Sequence, residues 1–404
     1  MKKALIYLLL FVYTLDASPL QDAIDKASPY STINLKSGIY IGNIVINKPL
    51  RIVGQKGVVL DAKGLGDVIT INSSDVCLRN LVIKNSGTQM HLLESAIKIN
   101  KASNIRISDC KIKNSLYGIN MYMVKDSTFS HNYISSIKEN LELRGNGLKI
   151  WLSNNNIFND NTIEKVRDNT LNYSNKNIFK NNTFLKSRFS LHLSLSHKNI
   201  IENNDFNYNS VSIMIMGAKD TNITNNKILS SNGAAGIGTL FKGVHNLHFN
   251  KNQVSFNAVG IYVDSKSTEL NMQRYFTNNI ISYNKEAMHF HKDIQNNTIV
   301  NNIFEGNIND IVKNTQQNTT FDNDVRHNYW DRYAGFDSDK NNIGDRSFKM
   351  YIYADQLWQY DHRLKFFYAS PMMSILNFIS ELTPVIEPVL ILEDKEPLMF
   401  KKAL

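Results

Sequence analysis

Three side chains in the middle of the chain have the chemistry of a soft-metal site: His192, Met214 and Met216. One imidazole and two thioethers form a donor set that suits Cu(I), held transiently, better than a hard cation. His289 and His291 form a second pair, spaced as outward neighbours on one strand and able to offer imidazole nitrogens to copper. The plainer alternatives are a partner-contact surface for the methionines and ordinary surface histidines for the pair.

Nearer the C-terminus, Asp337, Asp339, Asn341 and Asp345 have the D-x-D-x-N spacing of a calcium loop, in which alternate oxygen ligands wrap a hard cation. An EF-hand would place glycine and glutamate where Asn342 and Phe348 stand. An Asx-rich turn held by its own side chains fits the same residues.

The elements that position these groups follow from a repeat. A polar step, Asn, one residue, then Ile or Phe recurs at Asn132, Asn161, Asn182, Asn204, Asn226, Asn252, Asn279 and Asn302, at spacings of 21 to 29 residues. Asn80 and Asp109 extend it toward the N-terminus. Short apolar segments alternating at period two within such a unit mean stacked coils, because no single coil can bury its own apolar face. The fold class is therefore all-β: a right-handed parallel β-helix. A short capping helix over Leu20 to Ala27 covers its first coil, and a C-terminal extended tail follows.

Alternation then sorts the side chains. Outward positions of one stacked sheet hold Asn120 and Tyr122, Lys149 and Trp151, His192 and Ser194, Met214 and Met216, Tyr262 and Asp264, and His289 and His291. Met121 and Met123 are expected to point inward as core filler. Aligning Ser74-Asp75-Val76 with Ser103-Asn104-Ile105 sets Cys77 level with Arg106, so Cys77 and Cys110 are expected to be free thiols.

The ends differ from the coils. Lys2 and Lys3 precede a twelve-residue, largely apolar stretch from Ala4 to Leu15, and Ala17 offers a small residue for cleavage. Residues 1–17 read as an export signal, since twelve helical residues fall short of ~30 Å of hydrocarbon. Its removal takes Lys2, Lys3 and Asp16 and leaves +8 of the chain's +9 charge, scattered rather than gathered in a block that would hold nucleic acid. The expected organisation is a signal over 1–17, the β-helix over 18–325, and a cap and partner-docking tail over 326–404. Tyr329, Trp330, Tyr333 and Phe336 are expected to pack over the last coil. The tail beyond Asp355 either extends to a partner or membrane surface or folds back along the solenoid; Pro384, Pro388 and Pro397 forbid one continuous helix there.

The stretch from His327 to Asp345, with Asn328-Tyr329-Trp330, Tyr333, Gly335-Phe336-Asp337, Asp339 and Gly344-Asp345, resembles the signature of the NosD family. So do Arg144-Gly145-Asn146-Gly147-Leu148, Arg167-Asp168, Arg188-Phe189-Ser190-Leu191-His192 and, in the tail, Thr383-Pro384-Val385. Asn146 departs from the family's aspartate, and Ser194 stands where the family has methionine, a place Met214 would fill from the next coil. The resemblance implies a non-enzymatic periplasmic protein associated with the inner membrane through the permease subunit of an ABC transporter. It implies copper delivered to nitrous oxide reductase and received from a lipoprotein copper chaperone.

The competing reading is a carbohydrate-active β-helix: a lyase, epimerase or hydrolase. Glycoside cleavage would need two or three carboxylates converging from neighbouring coils. The outward positions named above supply one, Asp264.

Overall fold

The computed structural model describes residues 19–137, 140–141, 143–265, 272–314, 320–352, 363, 366, 370–382 and 389–401. The export signal expected over 1–17 lies outside them. Three parallel sheets of 13, 13 and 12 strands stack along the chain, and within each sheet the strands follow at every third element until the last coils, where an extra short strand makes the interval four. Each coil thus gives one strand to each sheet, which is the right-handed parallel β-helix expected from the repeat.

Doubled asparagines make the turns. Asn181, Asn203, Asn225, Asn278 and Asn301 all adopt φ between 55° and 57°, the left-handed region that asparagine tolerates better than most residues. The asparagine that follows each one points inward and is buried. Its side-chain amide donates to the carboxamide oxygen one coil on, Asn182 to Asn204 at 3.0 Å and Asn204 to Asn226 at 3.0 Å, and Asn161, which follows Asp160, joins the same ladder at 2.9 Å from Asn182. The same oxygen accepts the backbone N–H of its predecessor, as Asn204 Oδ1 does from Asn182 at 2.8 Å. Every polar atom of these buried amides is used, so the ladder escapes the cost of about 1–3 kcal/mol per orphaned group.

Between the turns the inward side chains stack in columns. Phe129, Phe158 and Phe179 stack at 4.8 and 4.7 Å, and Phe184 meets Phe206 at 4.8 Å. The first coil is closed by α1 (Pro19–Lys26), which buries Leu20 and Ile24.

At the other end the repeat runs on to the strands Asp324–Arg326 and Tyr329–Trp330. Trp330 is buried and stacks on Phe304 at 4.0 Å, with Phe348 tilted against it at 5.5 Å. Tyr333 joins this cap through Phe348, whereas Phe336 stays half exposed beneath the Arg346 guanidinium. The tail folds back: Val389–Asp394 pairs antiparallel with Phe348–Ile352, and Leu398 bridges to Tyr329 and Ile343. A helix, α2 (Pro371–Leu382), lies between these strands. It opens on a proline, whose missing N–H costs nothing there, and stops before Pro384.

Met123 departs from expectation. The strand Tyr117–Tyr122 ends before it, and Met123 sits in a left-handed turn with its side chain exposed, while Met121 is fully buried. Alternation fails where a strand gives way to a turn.

Candidate metal centre

The third sheet carries the soft donors on its outer face. His192 pairs in register with Met214, and Ser194 with Met216, on the neighbouring strands Phe189–Ser194 and Val211–Met216. Parallel strands lie ~4.8 Å apart, so an imidazole and two thioethers share one patch of surface. All three side chains are half-buried. On the His192 strand, Leu191 and Leu193 are fully buried, which anchors it and fixes which way His192 points.

Burial disfavours the charged form of His192. Burial pulls its pKa below the usual imidazole range; the Asp168 carboxylate opposes this and the Arg188 guanidinium adds to it. Its Nε2 is buried without a hydrogen-bond partner among the described residues, leaving one ring nitrogen of a neutral imidazole uncommitted. Phe189 meets the ring edge-on at 5.7 Å, and Arg188 lies over Phe189 at 4.6 Å. Arg188 is in turn fixed by a two-pronged ion pair to Asp168 one coil back, Nε to Oδ1 at 2.8 Å and Nη2 to Oδ2 at 2.5 Å. These supporting residues are not metal donors, although each sits in a sequence motif; an Arg and an Asp 20 residues apart is the signal that one coil's pitch supplies. Gly147 shows how tightly the coils meet here: a β-carbon there would lie 2.6 Å from Asn169 Oδ1.

His289 and His291 lie on the same face but farther along. Leu240 follows Met214 in register, Tyr262 follows Leu240, and His289 follows Tyr262. His192 and His289 are four strands apart, about 19 Å at the usual strand spacing, so the two sets are not brought together. His289 Nδ1 bonds Glu286 Oε2 at 2.6 Å, its ring stacks on Tyr262 at 4.8 Å, and its Nε2 is buried without a partner among the described residues. His291 Nδ1 meets the Asn314 amide at 3.2 Å. Leu240, Lys242, Thr170 and Asn172 also belong to this face and were missed by alternation alone.

The Asp337–Asp345 loop is a separate feature beyond the last coil. Oxygens of Asp337, Asp339 and Asp345 converge within 4.8 Å of one another. Most already accept donors from the loop itself. Asp337 takes the backbone N–H groups of Asn341 and Asn342 at 3.1 and 2.8 Å, and Asp345 takes Ser338 N–H at 3.0 Å. Asn341 Oδ1 accepts the Ile343 N–H at 2.6 Å rather than joining the carboxylates. These are the bonds of an Asx-rich turn.

Among the described residues, carboxylates do not converge on the outer face of the third sheet. Asp168, Asp264 and Glu286 border it, but each is engaged: by Arg188, by Lys242 at 3.0 Å, and by His289. Asp264 and Glu286 stand at opposite ends of neighbouring strands.

The sequence model of the family described as "Periplasmic copper-binding protein (NosD)" matches residues 134–335, half of the chain. A "Probable ABC transporter binding protein NosD" of Pseudomonas aeruginosa is 26% identical over 409 residues, covering 97% of this chain and 94% of its own length. A protein of the same description from Stutzerimonas stutzeri is 26% identical over 379 residues, covering 90% and 86%. Among solved structures, the A-module of the Azotobacter vinelandii mannuronan C-5 epimerase AlgE6 superposes with a TM-score of 0.56 at 13% identity, over 76% of this chain and 92% of that one. That likeness is one of fold.

Proposed function

The chain belongs to the NosD family of periplasmic copper-binding proteins, and from that premise we propose a non-enzymatic accessory protein that hands copper onward during maturation of nitrous oxide reductase. Its place is the periplasmic side of the inner membrane, on the permease subunit of an ABC transporter. A lipoprotein chaperone supplies the ion. The descriptions of both relatives as transporter-binding proteins support the partnership.

The observation that carries the copper reading is the register of His192 with Met214 beside Met216. Thioethers do not titrate, and burial biases the one imidazole toward the neutral form that binds a metal, so capture and release of Cu(I) are only weakly coupled to protons. Few soft ligands on an open sheet face give a site from which the ion can leave. The separately engaged carboxylates support a non-enzymatic role, since glycoside cleavage needs a pair converging to within about 5–9.5 Å.

The tail supplies the docking element. On α2, Met372, Ile375, Leu376, Phe378 and Ile379 are 42–68% exposed. A row of large apolar side chains turned to solvent marks an interaction surface.

The test is made in a denitrifying cell. Replacing the chain with its M214A/M216A double variant leaves nitrous oxide reductase short of copper, and the wild-type chain restores it. Full copper content in the absence of the chain would overturn the proposal.

A further inference from the structure

The outer face of the first sheet carries a different chemistry, independent of the copper reading. Arg51, Cys77 and Arg106 occupy equivalent positions on three successive strands, Arg51–Gly54, Cys77–Arg79 and Arg106–Ser108. Aligning the coils by sequence sets Cys77 level with Arg106, and the register agrees. At ~4.8 Å per strand the two arginine backbones stand roughly 10 Å apart with the short cysteine between them. A short side chain between two long ones leaves a notch. The result is a cleft of about 250 Å³ lined by Tyr30, Arg51, Asp75, Cys77, Asn104 and Arg106.

Both arginines are exposed, and neither guanidinium has an ion-pair or hydrogen-bond partner among the described residues. Their neighbour Arg79 shows the contrast: it turns aside to Asp109 at 3.1 Å. Asp75 is the one carboxylate in the lining, and the Asn104 amide already donates to it at 2.5 Å. Two unpaired cations against one engaged anion leave the cleft net positive. Planar guanidinium forks match the oxygens of a tetrahedral oxyanion, two donors at a time.

We propose that this notch is an anion site, in which Arg51 and Arg106 together hold an oxyanion of the phosphate or sulfate class over the Cys77 thiol. The anion is either free in solution or carried on a lipid headgroup, and the same forks serve both.

Cys77 reports on its own site. Cys110 is buried, and burial pushes its thiol up to about 12, so a neutral alkylating reagent sees Cys77 alone. The mature chain is treated with iodoacetamide at constant ionic strength while inorganic phosphate replaces chloride. Phosphate slows Cys77 alkylation saturably, and phosphorus NMR of the same samples shows the bound anion. Removing either fork in R51Q or R106Q weakens phosphate binding by about tenfold or more, the worth of hydrogen bonds to a charged group. Thermal unfolding of each variant confirms an intact solenoid. In a second arm, phosphatidylglycerol vesicles replace phosphate, with phosphatidylcholine vesicles as control. Protection by phosphatidylglycerol but not by phosphate assigns the site to a headgroup, and protection by phosphate assigns it to the free ion. Equal alkylation of wild type and R51Q/R106Q under every condition, with no phosphorus line broadening, overturns the site.

Discussion

The Asp394 carboxylate accepts the side-chain amide of Asn328 at 2.9 Å, so a strand 66 residues downstream closes the asparagine ladder. The same oxygen accepts Trp330 Nε1 at 2.9 Å. Asp394→Ala therefore orphans the Asn328 backbone N–H, which donates to the same oxygen at 3.1 Å, and the Trp330 indole N–H, at about 1–3 kcal/mol each. Urea denaturation is expected to show that loss, and amide hydrogen exchange is expected to quicken in the strand Tyr329–Trp330 before the middle coils. Unchanged exchange there would contradict the closure.

Asp310 makes stability depend on pH. Burial pushes its carboxyl up to about 6, while the Arg332 guanidinium and the Asn307 amide pull the other way. A folded pKa above the unfolded one gives stability that is fully present below the unfolded value, about 4, and lost as pH rises through about 6. The neutral Asp310→Asn variant lacks this loss. Its stability relative to wild type should rise between pH 4 and pH 7, by on the order of 3 kcal/mol at most. A pH-independent difference would show that Asp310 does not titrate in this window.

Arg188 and Asp168 tune His192. Burial is the main cause of its lowered pKa, with Arg188 lowering it further and Asp168 raising it. Proton NMR titration should therefore find the His192 pKa higher in Arg188→Met and lower in Asp168→Asn. Shifts of the opposite sign would mean that the ion pair is not arranged around the ring as described.

The apolar row on α2 should matter for partnership and not for folding. Phe378→Glu and Ile375→Glu replace side chains 61% and 56% exposed, a change usually within about 0.5 kcal/mol of neutral. Thermal unfolding is expected to be unaltered while co-purification with the transporter permease is lost. Retained co-purification would move the docking surface elsewhere.

Much of this architecture was legible in the sequence because buried amides must be paired. Asn182, Asn204 and Asn226 could recur at one pitch only if each served the next. The outer face was legible where the coils keep that pitch, as with His192 and Met214. Between Asn226 and Asn252 the coil lengthens to 26 residues, and Leu240 dropped out of the expected lane with it. Met123 was lost for a local reason, the left-handed turn that ends its strand. The Arg188–Asp168 pair becomes legible only once the coil pitch is known, and the Asp394 closure was hidden because the strand that carries it lies 66 residues downstream, outside the repeat. The tail helix was hidden because apolar residues as exposed as Met372, Ile375 and Phe378 do not follow the inward-facing period that marks a core helix.

The central claim is that His192, Met214 and Met216 hold copper on the open face of the third sheet. Competition of the chain with a chromogenic Cu(I) chelator tests it most directly, alongside M214A/M216A and His192→Ala. Wild type is expected to withdraw Cu(I) from the chelator, and each variant to lose about tenfold or more in affinity, as removal of a metal-supporting group typically costs. Identical chelator curves for wild type and both variants would contradict the account.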